Sequence, residues 1–249
     1  MRLEYKYLIP MQHLPEIQAI LKPYLQMDKF AAQRETKEYT VRSIYFDTLE
    51  LDYYFEKIEG LKIRKKIRVR GYNEHSEQSV IFLEIKRKCA NYIHKNRATV
   101  LHCDLFELFR TGDIERYILS HDGYAGSQKH ARQFFYYVFG KSLRPSMLVA
   151  YERQAFYSKF DPALRVTFDK NIRFSAHPSL CNLFEEKELQ FTRLKGFIFE
   201  IKFQRGLPHW LQELIKRYRL NRIPLSKYTI CLDASKKLKG INGRGAKYA

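Results

Sequence analysis

The stretch "LKIRKKIRVR", Leu61 to Arg70, carries six basic residues and no acidic one. Side chains of a β-strand point alternately to its two faces, so residues two apart share a face. At that period Lys62, Arg64, Lys66, Arg68 and Arg70 lie on one face, and Leu61, Ile63, Lys65, Ile67 and Val69 on the other. A lone surface strand can carry such charge on its solvated side. The rest of the chain decides between that reading and a charged interior.

The alternation recurs along the chain. Near the start, Arg2, Glu4 and Lys6 oppose Leu3, Tyr5 and Tyr7. In "VIFLEIKRK", Phe82, Glu84, Lys86 and Lys88 oppose Ile81, Leu83 and Ile85; in "LRVTFD", Arg165, Thr167 and Asp169 oppose Leu164, Val166 and Phe168. "FIFEIKF" sets Glu200 and Lys202 against Phe197, Phe199, Ile201 and Phe203, and "SKYTICLD" sets Lys227 and Thr229 against Tyr228 and Ile230. Lys95 and Arg97 alternate in "HKNRATV" and extend the cationic set. A face that mixes carboxylates and cations at fixed spacing, opposite a large apolar face, suits a lined interior. The expected fold is therefore α+β: a closed antiparallel β-barrel, a tunnel of about eight strands with a charged interior, covered by helices.

Helical spacing supplies the cover. "MQHLPEIQAILKPYL" from Met11 places Leu14, Ile17, Ile20, Leu21 and Leu25 on one side, and "LPHWLQELIKRYRL" does the same with Trp210, Leu211 and Leu214 behind Pro208. "DLFELFRTGDIERYIL" and "SQKHARQFFYYVFG" read as helices separated by the turn signal "HDGYAG". No Ser/Gly/Pro-rich linker divides the chain, so one domain is expected over residues 1–235, with a helical insertion at about 104–145 and a basic tail at 236–249.

The formal charge of +18 over 249 residues exceeds what solubility requires and points to a polyanionic partner. Cys89, Cys103, Cys181 and Cys231 stand apart without the pairing of a zinc site or a disulfide framework, which fits a reducing, cytoplasmic setting. No segment reaches the roughly 18 apolar residues of a membrane span, and the N-terminus does not read as a secretory leader. "GINGRGAK" lacks the spacing of a phosphate loop. The aromatic residues alternate away from the charged faces, which argues against base stacking and a nucleic-acid partner.

The ordered motifs "RLEYKY", "VRSIYFDT", "KIRVRGY", "FLEIKRK", "YERQAF", "RVTFD", "FEIKF" and "LSKY" resemble the VTC-type polyphosphate-polymerase domain of the triphosphate tunnel metalloenzyme superfamily, from Arg2 to about Asp233. The resemblance implies a tunnel that binds ATP and triphosphate or polyphosphate with Mn²⁺ or Mg²⁺. It carries Lys6, Arg68, Arg70, Lys86, Arg153, Arg165 and Lys227 over as phosphate-contacting residues and Glu200 as the metal carboxylate. Arg2, Lys66, Lys88, Lys95, Arg97 and Lys202 share the charged faces and are further substrate-binding candidates. Alternation places each of the first set except Arg153, because "YERQAF" is too mixed to assign a facing. Much of the superfamily begins Glu-x-Glu-x-Lys; here Arg2 replaces the first glutamate, which puts Glu4 in question as a metal ligand and is closer to the polymerase branch. Any membrane connection would come through a partner protein.

In the polymerase reading, the γ-phosphoryl of ATP passes to the end of a polyphosphate chain. Arg68 and Arg70 grip phosphate oxygens as forks, while Lys6, Lys86 and Lys227 act as point charges. A triphosphatase acting on water, or a non-catalytic polyphosphate- or RNA-binding module, would use the same residues. Asp169 is read as an ion-pair partner of Arg165 or a neighbouring arginine in preference to a metal ligand or a residue supporting one, and Arg42 and Asp47 as either tunnel residues or turn anchors.

Overall fold

The computed structural model describes residues 3–89, 92–120 and 126–238. The chain begins with β1 (Leu3–Ile9), then α1 (Leu14–Leu21), β2 (Leu25–Met27), α2 (Lys29–Ala32), β3 (Tyr39–Asp47) and α3 (Asp52–Ile58). Three long strands follow, β4 (Ile63–Tyr72), β5 (Val80–Cys89) and β6 (Tyr92–Leu101), and then the helices α4 (His102–Thr111), α5 (Ile114–Tyr117) and α6 (Ser127–Gly140). The chain closes with β7 (Arg144–Ser158), β8 (Arg165–Ala176), β9 (Gln190–Phe191), β10 (Phe197–Phe203), α7 (His209–Arg217) and α8 (Lys227–Leu238).

Eight strands form one antiparallel path in the order β1-β10-β8-β7-β3-β4-β5-β6, with β2 added to β7 and β9 to β8. The sheet curls into a half-barrel. The expected closed barrel is corrected here: among the described residues no backbone pairing joins β1 to β6. Across the open side, Lys86 of β5 reaches Glu4 of β1 through side chains, 3.3 Å apart.

The apolar faces are convex and lie under helices, as their periodicity requires. Ile67, Val69, Ile81, Leu83 and Ile85 pack with Leu105 and Leu108 of α4 and Phe134, Phe135 and Val138 of α6. On the other half, Tyr7, Ile9, Phe168, Phe197, Phe199 and Ile201 pack with Leu14, Ile17 and Leu21 of α1 and Leu211 and Leu214 of α7. Each fully buried side chain of this kind is worth about 1.5–3 kcal/mol relative to exposure, so the strand facing is strongly enforced. Gly196 enters β10 where a Cβ would stand 2.2 Å from the Ile9 carbonyl oxygen; only glycine lets β1 and β10 meet there.

The segment "SKYTICLD", expected as a strand, is the start of α8. Tyr228, Thr229, Ile230, Cys231 and Leu232 are all buried, so alternation could not distinguish a strand from a helix enclosed on most sides. Ser226 precedes the first turn; its carbonyl accepts from the Ile230 amide at 3.0 Å and from the Thr229 hydroxyl at 3.0 Å. The helix fills one end of the concave face against Val41, Tyr45, Met147, Val149 and Tyr151. Asp47 anchors the neighbouring turn: it accepts from the amides of Thr48, Tyr53 and Tyr54 and from the Tyr228 hydroxyl at 2.6 Å. Of the two roles left open for it, turn anchor is the one the structure assigns.

Candidate functional site

Where α8 ends its plug, the concave face turns from apolar to charged. β4 directs Lys66, Arg68 and Arg70 inward, while Ile67 and Val69 face α4–α6. Cross-strand register sets Arg68 opposite Glu84 of β5, and Glu84 opposite Arg97 of β6. Glu84 is 1% exposed and becomes the hub of this wall. Its Oε2 accepts from Arg68 Nε at 2.8 Å and Nη2 at 2.5 Å, and its Oε1 from Arg97 Nε at 2.9 Å and Nη2 at 2.7 Å. The Lys95 ammonium stands 2.6 Å from Oε1 and Arg70 Nε 3.9 Å from Oε2. Arg70 donates to Ser43 Oγ at 3.1 Å, and Arg68 to Tyr45 Oη at 3.0 Å.

The opposite wall is built on β7, β8, β10 and β1. Arg153, whose facing the sequence left open, points inward and donates through Nε and Nη2 to the two oxygens of Asp169, at 2.6 and 2.7 Å. Lys227, at the start of α8, donates to the same carboxylate at 2.6 Å and lies 4.4 Å from the Tyr151 ring centre. Asp169 thus pairs with Arg153 rather than with Arg165, which sits near Asp28 at 3.3 Å and Tyr39 Oη at 3.1 Å. Lys6 bridges Glu4 at 2.8 Å and Glu200 at 3.3 Å, and Lys202 stands 2.5 Å from Glu200. Lys66 donates to Ser226 Oγ at 2.7 Å. Arg42 faces away from the site, donating to the Asn73 carbonyl and pairing with Glu186. Arg2 lies outside the described residues.

Every other candidate therefore lies on or beside one concave surface. Lys88 lines the opening of this surface; within it Lys6, Lys66, Arg68, Arg70, Lys86, Lys95, Arg97, Arg153, Arg165, Lys202 and Lys227 are eleven cations, against the five carboxylates Glu4, Asp28, Glu84, Asp169 and Glu200, a formal excess of six. Burial disfavours ionisation of Glu200, but Lys202, Lys6, Arg153 and Lys227 together outweigh it and hold the carboxyl well below its usual range. Glu84 is held low in the same way by Arg68 and Arg70 against its burial. For Lys66 and Lys95 burial wins, whereas Glu4 and Glu200 outweigh it at Lys6 and hold that ammonium above its usual range. Burial, with Lys6, Lys86 and Arg68 nearby, pushes Lys66 well below the usual ammonium range, and burial with Arg97 brings Lys95 to about 8 against the pull of Glu84. Buried Arg165 Nε and Thr167 Oγ1 have no hydrogen-bond partner among the described residues.

A divalent ion can be tested against the same geometry. Glu200 Oε1 lies 2.5 Å from the Lys202 ammonium and Oε2 3.3 Å from that of Lys6, so a hard cation would have to displace one of these lysines to reach the carboxylate. No group of three His, Cys, Asp or Glu side chains gathers among the described residues. Hard cations take six or more oxygen ligands. Glu200 therefore fits as a single protein anchor whose remaining ligands are phosphate oxygens and water, rather than as part of a preformed cage.

A cavity of about 420 Å³ opens at one end, bounded by β1, β4, β5, α3 and the segment 222–226. Sequence reasoning singled out most of the cations but gave Glu84 no role. Its position in "FLEIKRK", two residues before Lys86 on the charged face, was the available signal.

The profile of the VTC domain family matches residues 1–236. The chain belongs to the VTC domain family. This VTC domain is 21% identical over 253 aligned residues to the vacuolar transporter chaperone complex subunit 4 of Schizosaccharomyces pombe, an alignment that covers 88% of this chain. It covers 35% of that protein, so the chain spans about a third of the length of this relative. Among solved structures, the PH1819 protein of Pyrococcus horikoshii OT3 aligns with a TM-score of 0.48 at 11% identity, covering 94% of this chain and 99% of that one. No helix of the described part of the VTC domain is long and apolar enough to cross a membrane.

Proposed function

We propose that this VTC domain is a metal-dependent polyphosphate polymerase, transferring the γ-phosphoryl group of ATP to the end of a polyphosphate chain. The observation that carries the reading is the excess of six cations on a concave, largely buried surface, a surplus suited to a ligand with several closely spaced negative charges. Family membership supports polyphosphate synthesis at the level of the VTC domain as a whole.

Phosphoryl transfer asks the protein for alignment and charge neutralisation more than for covalent chemistry. An oxygen of the chain's terminal phosphate attacks the γ-phosphorus, the bond from that phosphorus to the β–γ bridging oxygen breaks, and ADP leaves with the electron pair. The attacking oxygen is already anionic, so no side chain need remove a proton. Arg68, Arg70 and Arg153, held in place by Glu84, Ser43 and Asp169, neutralise the equatorial oxygens without reorganising during the step. Lys6, Lys86 and Lys227 supply movable point charges along the chain, and Arg165 has a buried donor to spare. Glu200 would hold a Mn²⁺ or Mg²⁺ ion, which supplies charge neutralisation at the phosphates. The relative from Schizosaccharomyces pombe is by its name a subunit of a complex, and we extend to this chain a partner protein through which a cytoplasmic domain would meet a membrane.

The test is incubation of the purified protein with labelled ATP and Mn²⁺ or Mg²⁺, with products resolved by chain length on a gel. A ladder reaching long chains supports the polymerase. Phosphate released from ATP or tripolyphosphate, with no chains at any protein concentration, assigns the tunnel to hydrolysis instead.

A further inference from the structure

The outer face of β3, β7 and β8 carries a second cluster of charge, on the opposite side of the sheet from the concave surface. Val41, Tyr151, Ile172 and Phe174 pack inward around α8, and Ser43 and Arg153 also face inward, so the residues they flank, Arg42, Glu152 and Arg173, turn outward. Register sets Arg42 and Arg173 opposite Ala150 of β7 from its two sides. Neighbouring strands lie about 4.7–4.9 Å apart, so the two arginine backbones stand roughly 10 Å apart with only a methyl group between them.

Both guanidinium groups converge on one oxygen. Glu186, on the connection between the short turn Leu180–Phe184 and β9, pairs through Oε1 with Arg42 Nη2 and stands 3.5 Å from Arg173 Nη2 by the same atom. Arg42 Nε is taken by the Asn73 carbonyl at 2.8 Å, and Arg173 Nη1 by Glu152 Oε1 at 2.6 Å and the Asn171 carbonyl at 3.4 Å. Arg42 Nη1 and Arg173 Nε are buried and have no partner among the described residues. In a planar guanidinium Nη1 and Nη2 make one two-donor fork and Nε and Nη2 another. Each arginine therefore turns a fork toward Glu186, and neither fork is filled. Glu152 Oε2, buried beside them, also lacks a hydrogen-bond partner. The arginines are fixed and their occupant is not: the Arg42 side chain is 4% exposed and that of Glu186 49%.

We infer that Arg42 and Arg173 form a binding site for inorganic orthophosphate on the outside of the sheet, with Glu186 as its internal occupant in the free protein. Four phosphate oxygens serve two forks where a single carboxylate oxygen does not, and the O–H that phosphate keeps at neutral pH is a donor for Glu152 Oε2. An acidic side chain of another protein offers no more oxygens than Glu186 already does. Sulfate has the oxygens but lacks the hydrogen. The site shares no residue with the concave surface and does not depend on the function proposed for it.

The experiment is isothermal titration calorimetry, with thermal melts, of the wild type, Glu186→Ala, Glu186→Gln and Glu186→Ala/Arg173→Lys, using sodium orthophosphate and sodium sulfate at equal ionic strength. The concave surface is the same in all four proteins, so differences between them report the outer site. Glu186→Ala should bind orthophosphate roughly tenfold more tightly than wild type, and phosphate should raise its melting temperature more than that of wild type. Glu186→Gln, which keeps the side chain's shape, should shift in the same direction. Arg173→Lys keeps the charge but removes the fork, and in the Glu186→Ala background it should abolish most of the gain. Sulfate should bind Glu186→Ala several-fold more weakly than phosphate. Orthophosphate affinity alike in wild type and both single variants, a gain that survives Arg173→Lys, or an equal gain for sulfate overturns the site.

Discussion

Replacing Glu84 with Gln probes the charge balance of the site at its most buried point. The carboxylate is 1% exposed and is the common partner of Arg68, Arg97, Lys95 and, more distantly, Arg70. Gln keeps the shape and removes the charge, so two buried guanidinium groups lose their counter-ion. Breaking a buried pair by removing one partner costs about 3–5 kcal/mol. Arg97 and Lys95 are more than a third exposed and are screened by water, so they contribute little, and the lower end, about 3 kcal/mol, is the expectation. For a chain of this size that lowers Tm by about 6–12 °C.

The pH dependence follows in sign. Glu84 is held below its unfolded value of about 4.3, so its stabilisation is fully present above that pH and disappears as pH falls through the lower folded value. Urea melts of wild type and Glu84→Gln should differ most near neutrality and converge in acid. Added tripolyphosphate should restore more stability to the variant, whose cations lack their internal partner. A loss below about 1 kcal/mol, or a difference that does not shrink in acid, would refute the reasoning.

Glu200→Gln should abolish metal-dependent turnover while leaving a folded protein, read by product gels and circular dichroism; undiminished activity removes Glu200 from the mechanism. Arg68→Ala and Arg70→Ala should each weaken tripolyphosphate binding roughly tenfold to a hundredfold, from about 1.5–3 kcal/mol per charge-assisted contact, whereas Lys65→Ala on the opposite face should change it little; equal effects at the three positions would mean a general surface attraction. Lys95, lowered to about 8, and Lys66, also held below the usual ammonium range by its burial, should take up protons when a polyanion binds. Tripolyphosphate affinity should therefore fall as pH rises above about 8, and binding heats should depend on the buffer's ionisation enthalpy; heats identical in all buffers would contradict this.

Strands with one apolar and one charged face were legible because their two environments differ. β1, β4, β5, β8 and β10 each present large apolar residues to a helix-covered core and charge to the concave side. β3 and β7 are buried on both faces, Val41 and Tyr45 inward against α8 and Ile44 and Phe46 outward, so alternation carries no information there. The same enclosure disguised α8 as a strand. Closure of the sheet was not legible at all, since it depends on whether β1 and β6 exchange backbone hydrogen bonds, and residue types on their faces do not report that. The inward facing of Arg153 was hidden by its setting in β7, where Glu152 and Gln154 flank it, although its register opposite Asp169 makes the pair unavoidable once the strands are aligned.

Arginines and lysines divide the work of this surface by how they are tied down. Arg68 and Arg153 each commit Nε and one terminal nitrogen to a buried carboxylate, so their planes are oriented before any ligand arrives, and in the proposed function the remaining edge would meet a phosphate. In the proposed reaction such preorganised donors would not need to reorganise as charge moves from the γ-phosphoryl to the leaving group. Lys6, Lys86 and Lys202 instead share Glu4 and Glu200, Lys6 and Lys202 each reaching both carboxylates, through ammonium contacts that lack the fixed geometry of a guanidinium fork. In the proposed function these carboxylates would act as stand-ins for phosphate until a polyanion replaces them. Displacing Lys202 and Lys6 from Glu200 would then free that carboxylate for a metal ion at the moment the phosphates arrive to complete its ligands, so chain binding and metal binding would reinforce one another at this site.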